Sequence, residues 1–158
     1  MDKLKVIIDN INSKNLDLAL KQCEDYNVIE NKYLINNFKG VIYSLKNDQV
    51  LAEEYFKKSH NLNQKFADPL KNLYVIYIKK KNYLEAINIA KKLNNLNNTN
   101  DLFVYQLAYA YELNNDNLLA IEYYENCKDL NGENKLKALN NIGSIYLKNN
   151  KPKTSLKY

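Results

Sequence analysis

At 158 residues the chain has the size of one domain, and 46% apolar, 26% charged and 11% aromatic residues give it a globular rather than a disordered composition. Three Gly and two Pro leave no material for a collagen-like stretch or a long flexible linker. Lysine supplies all 23 basic residues against 18 acidic ones, and the surplus of +5, without arginine, falls short of the basic stripe of a nucleic-acid surface.

The first residues, MDKLKVIIDNIN, are interrupted by Asp9 and Asn10 before the apolar core of a secretion signal can form. No later run approaches the ~18 apolar residues of a membrane span, so the expected location is cytoplasmic. Leu4, Ile7, Ile8 and Ile11 mark one amphipathic helix, and Leu16, Ala19, Leu20 and Cys23 a second. Together they form an atypical hairpin over residues 1–32, as terminal units of an array often are. Further on, Leu70, Leu73, Tyr74 and Tyr77 follow the helical spacing i, i+3, i+4, i+7, and so do Val104, Leu107, Ala108 and Tyr111. Ala86, Ile87 and Ala90, and then Ala120, Ile121 and Tyr124, mark the partner helices. Polar turns at 46–49, 80–82 and 114–117 separate the halves, with Asn and Asp suited to turns and helix N-caps. Asp68-Pro69 reads as a helix start and 97–101 as a polar break.

Above this local pattern stands a longer period. Tyr43, Tyr77, Tyr111 and Tyr146 are 34, 34 and 35 residues apart, and the segments 40–56, 74–90 and 108–124 align without a gap. Such a period signals stacked supersecondary units that bury their apolar faces against one another. The expected units are 33–66, 67–100, 101–135 and a truncated 136–158, which with the N-terminal hairpin make one all-α solenoid domain of antiparallel helix hairpins.

Leu139, Ile142, Gly143 and Tyr146, with Ala108, Tyr111, Ala120 and Tyr124, and with Gly40, Tyr43, Ala52 and Phe56, resemble the tetratricopeptide repeat, a 34-residue helix-turn-helix family. The resemblance covers 33–158 well and 3–30 loosely, and it implies a right-handed superhelix. It implies that small residues let paired helices approach closely while each motif tyrosine fills space against the next unit. Departures from the pattern are Lys39 in place of leucine, Tyr74 in place of a small residue and Ala90 in place of an aromatic.

No chemistry-bearing constellation accompanies this pattern. His60 stands near a helix end beside Lys57 and Lys58 without a Cys or His at ligand spacing, and Glu53, Glu54, Glu122 and Glu125 read as solvated. Cys23 and Cys127 lie three units apart, beyond the ~7 Å a disulfide tolerates, and read as buried small residues. The expectations are no enzyme activity for this chain, no cofactor and no metal.

In the family the first helices line a concave groove that binds proteins or peptides. The positions implied here are Asn37, Val41, Lys71, Val75, Tyr105, Tyr109, Asn140 and Ser144, with aromatics for contact area, Lys for charge and Asn for backbone hydrogen bonds. The clamp that some relatives use on acidic C-termini is not matched: its places hold Asn37, Val41, Asn72, Leu102 and Gln106, and only Asn72 fits. The implied function is a protein-binding scaffold whose partner is a protein or peptide, not nucleic acid or membrane. Such a chain is a monomer or a weak oligomer through its terminal repeat. The alternative is the recognition arm of a bacterial sulfotransferase or glycosyltransferase whose catalytic domain follows residue 158. A pentatricopeptide-type RNA binder shares the hairpins but expects a strongly basic groove. Because 154–158 supply only the opening of a second helix, the chain reads as a fragment whose last hairpin frays.

Overall fold

Four turns with nearly the same backbone recur along the chain and set its architecture. In each, one residue adopts a left-handed conformation: Lys14 (φ 61°), Asn47 (63°), Lys81 (56°) and Asn115 (64°). The following amide reaches back to a carbonyl five residues earlier, Asn15 to Asn10, Asp48 to Tyr43, Asn82 to Tyr77 and Asp116 to Tyr111, each at 2.9 Å. This is the closure that satisfies the orphan carbonyls of a helix end. The same Asn or Asp then begins the next helix: the carboxylate of Asp48 accepts from the Leu51 amide at 3.0 Å, and the Asn82 side chain from that of Glu85 at 3.4 Å.

These turns separate the helices of a computed structural model that describes residues 3–97, 100–127 and 133–149. The helices are α1 (Lys3–Asn12), α2 (Leu16–Asp25), α3 (Lys32–Leu45), α4 (Gln49–Leu62), α5 (Asp68–Lys79), α6 (Tyr83–Leu96), α7 (Asp101–Leu113), α8 (Asn117–Asn126) and α9 (Glu133–Lys148), with a 3-10 turn at Ile29–Asn31. No strand occurs among the described residues. The fold is all-α, and its unit is the helix hairpin. The expected second-helix stub at 154–158 lies outside the described residues.

The helices divide into two compact units between Ile76 and Tyr77, inside α5. In the first unit, Ile7, Ala19, Cys23, Ile35 and Ile42 form a core that Leu4, Ile11, Leu16, Leu20, Tyr26 and Phe38 enclose. Gly40 of α3 faces the ring of Phe56 on α4 so closely that a β-carbon there would stand 2.6 Å from two ring atoms. Ser59 Oγ donates to the carbonyl of Tyr33 at 2.7 Å, and Tyr33 meets Phe66 edge-on at 5.2 Å. The first of these contacts ties the C-terminal half of α4 to α3, and the second ties the chain just beyond it.

In the second unit, α6 packs on α7, α7 on α8, and α8 on α9. Ala86, Ala90, Leu93, Ala108, Ala120, Tyr124 and Ile142 are fully buried there. The small residues permit close helix approach. Two of the motif tyrosines also close their own hairpins. Tyr43 stacks on Tyr55 at 5.4 Å and Tyr111 on Tyr123 at 5.5 Å, in each case on the second helix of the same hairpin. A residue twelve positions on lies across the turn, so an aromatic pair at that spacing closes its own hairpin.

Candidate functional site

The eight positions expected to face a partner lie on the first helices α3, α5, α7 and α9, paired four residues apart so that each pair shares a helix face. Four belong to each unit. On α3, Asn37 is only 6% exposed and its Oδ1 has no hydrogen-bond partner, whereas Val41, one turn on, is half-buried. With its Oδ1 sealed from solvent, the Asn37 side chain belongs to the helix packing, and Val41 is the more open of the two. On α5, Lys71 is held by Asp68 of the same helix at 2.9 Å, and Val75 is exposed.

In the second unit the geometry is better defined. The rings of Tyr105 and Tyr109 on α7 are nearly parallel, 8° apart, with centroids separated by 6.2 Å. Asn141 of α9 buttresses them: its Nδ2 donates to the Tyr105 hydroxyl at 3.2 Å and to that of Tyr124 at 2.7 Å. Tyr124, fully buried on α8, donates in turn to Glu112 Oε2 at 2.7 Å, and Lys148 stands 3.8 Å from the other oxygen of that carboxylate. Three helices are thus joined by a chain of matched donors and acceptors, a rigidifying arrangement. Tyr105 accepts from Asn141, so its own O–H proton remains to be offered to a ligand. Burial raises the Tyr105 and Tyr124 hydroxyls above the ordinary tyrosine range. Asn140 and Ser144 lie exposed one turn apart on α9.

The residues that shape this face are not all those named from the sequence. Asn141 rather than its neighbour Asn140 supports the tyrosine pair, and Glu112 and Tyr124 complete the network from behind. The available signal was Tyr124 itself: a large phenol at a buried repeat position needs a hydroxyl partner. Among the described residues no group of three His, Cys, Asp or Glu side chains could hold a metal ion, and no helix is long and apolar enough to cross a membrane.

Comparison with known proteins bears on this arrangement. Residues 103–134, which span α7, α8 and the start of α9, match the family profile of the tetratricopeptide repeat. No curated protein matches the chain significantly in sequence. Among solved structures, the crystal structure of MamA aligns with a TM-score of 0.82 at 20% identity, covering 100% of this chain and 91% of that one. MamA 41-end from Desulfovibrio magneticus RS-1 aligns at 0.79 and 18% identity, covering 99% and 91%. YrrB, described as a TPR protein with an unusual peptide-binding site, aligns at 0.80 and 15% identity, covering 98% and 80%. At these identities the likeness is one of fold.

Proposed function

We propose that this chain, a tetratricopeptide-repeat protein of all-α helix-hairpin fold, is a non-catalytic scaffold that binds an extended segment of a protein partner on the faces of its first helices. The observation that carries the reading is the stacked, half-exposed Tyr105–Tyr109 pair, with Tyr105 held by Asn141. Rigid aromatics supply contact area at low entropic cost, which is why tyrosine recurs at binding hot spots. A fold shared with a protein described as having a peptide-binding site is consistent with this use.

The test is selection of peptides from a random displayed library on the immobilised chain, followed by fluorescence polarisation with the best of them. Tyr105→Ala and Tyr109→Ala should each weaken binding about tenfold or more, as truncated aromatic hot spots do. Leu118→Ala, exposed on the second helix α8, should leave it unchanged. Equal binding by the tyrosine variants would refute the assignment of this face.

A further inference from the structure

The residue four positions before each motif tyrosine is aliphatic and sealed in three of the four repeats: Leu73 is 2% exposed, Leu107 1% and Ile142 0%. In the first repeat that position holds Lys39, half-buried beside a cavity of about 250 Å³ between α2 and α3. Cys23, Glu24, Ile29, Lys32 and Asn36 contribute to its walls. A cation at a place built for an aliphatic side chain is costly unless something compensates it. The ring of Tyr55 lies near it, with the ammonium 5.7 Å from the centroid.

Some lysines of the chain hold a carboxylate, as Lys46 holds Asp17 and Lys71 holds Asp68. Lys32 and Lys39 hold none among the described residues, although Glu24 lines the same cavity. The two lysines are seven residues apart, two turns along one face of α3. Cys23 adds no negative charge, because burial pushes its thiol up to about 11. Glu24 limits how much negative charge the cavity tolerates, which favours a single carboxylate over a polyanion. Beside the lysines Ile29 is 85% exposed, an apolar surface waiting for contact.

We propose that this cavity is a carboxylate pocket, taking an aspartate or glutamate side chain of a polypeptide whose adjoining apolar residue rests on Ile29. The cavity offers two ammonium groups on flexible stems, which pair with a carboxylate as point charges, and the exposed Ile29 beside them favours a carboxylate carried within a chain next to an apolar residue. The pocket is lined by none of the first-helix positions described above and does not depend on them.

The experiment is an amide chemical-shift titration of the full isotope-labelled chain with three probes. These are acetyl-Leu-Glu-amide, its neutral analogue acetyl-Leu-Gln-amide, and acetyl-Leu-Gln with a free C-terminus. The Glu probe should shift the amides of Ile29, Lys32, Asn36 and Lys39 saturably, with the neutral analogue at least about fivefold weaker. Lys39→Leu restores the side-chain type the other repeats bury, so the fold is kept, and it should weaken the Glu probe about tenfold, the scale of one charge-assisted hydrogen bond. Lys32→Gln, at an exposed position where the fold is indifferent to the change, should weaken it as well. Equal response to the Glu and Gln probes, preference for the free C-terminus, shifts mapping away from α2 and α3, or indifference to both lysine variants would overturn the proposal.

Discussion

Replacing Gly40 by alanine should destabilise the protein, although alanine is the better helix former. In the middle of α3 the propensity gain is about 1 kcal/mol. Against it, the new β-carbon would stand 2.6 Å from both Cδ1 and Cε1 of Phe56 and 3.0 Å from its Cγ, well inside the ~3.5–4.0 Å of carbon contact. The Phe56 ring is itself buried on α4 and cannot swing into solvent, so α3 and α4 must separate. Overpacking of this kind costs about 1–3 kcal/mol, and the severity of the overlap places it at the upper end, leaving a net loss of roughly 1–2 kcal/mol. For a chain of this size that lowers the melting temperature by about 2–8 °C, readable in a far-UV circular dichroism melt. Shrinking the opposing ring should relieve the strain, so Phe56→Leu should cost less when combined with Gly40→Ala than in the parent. A rise in melting temperature for Gly40→Ala, or strict additivity with Phe56→Leu, would refute this account of the α3–α4 contact.

Other outcomes follow from the same geometry. Lys14 and Lys81 are held at positive φ, which costs a side-chain-bearing residue about 1 kcal/mol, so Lys14→Gly and Lys81→Gly should each raise stability by roughly 0.5 kcal/mol in chemical denaturation after the loss of glycine's unfolded-state freedom. Asn141→Ala and Tyr124→Phe should each cost about 1–3 kcal/mol, and the double variant less than their sum, because both break one network. Tyr105 and Tyr124 have folded-state pKa values above the ordinary 10.0, so the stability they contribute is complete below that pH and lost as pH rises above it. An absorbance titration of tyrosinate should accordingly show a late fraction of phenols that ionises together with loss of helix. With Cys23 raised to about 11, roughly one thiol in a thousand is ionised at pH 8, and Cys127 is fully buried, so Ellman's reagent should label neither until the chain is unfolded.

Much of the fold was legible because the repeat positions do local jobs that composition reveals. The alanines that let paired helices approach, Ala52, Ala86 and Ala120, recur in phase, and Ala19 joins them one residue short, all fully buried. That single-residue offset is why the N-terminal hairpin looks atypical while its turn is built like the others. Tyr74 and Ala90 looked like departures, yet both positions are buried as the pattern requires. What was not legible depends on atoms rather than spacing. Lysine is no turn former, so nothing marked Lys14 and Lys81 as left-handed. The stacking of Tyr43 and Tyr111 inside their own hairpins requires knowing where rings fall across a turn. At the candidate face, the pairing of Tyr105 with Tyr109 was implied by their one-turn separation, but the choice of Asn141 over Asn140 as their support rests on a rotation of α9 that two adjacent asparagines do not reveal.

The central claim is that partner recognition lies on the first helices, and a peptide selected on the chain tests it directly. Its footprint, read as amide and side-chain chemical-shift changes on the full labelled protein, should fall on first-helix positions such as Asn37 and Val41 of α3 or Tyr105 and Tyr109 of α7, with Asn141 responding through its bond to Tyr105. A footprint confined to the exposed residues Val50, Leu84 and Leu118 on the second helices would contradict it.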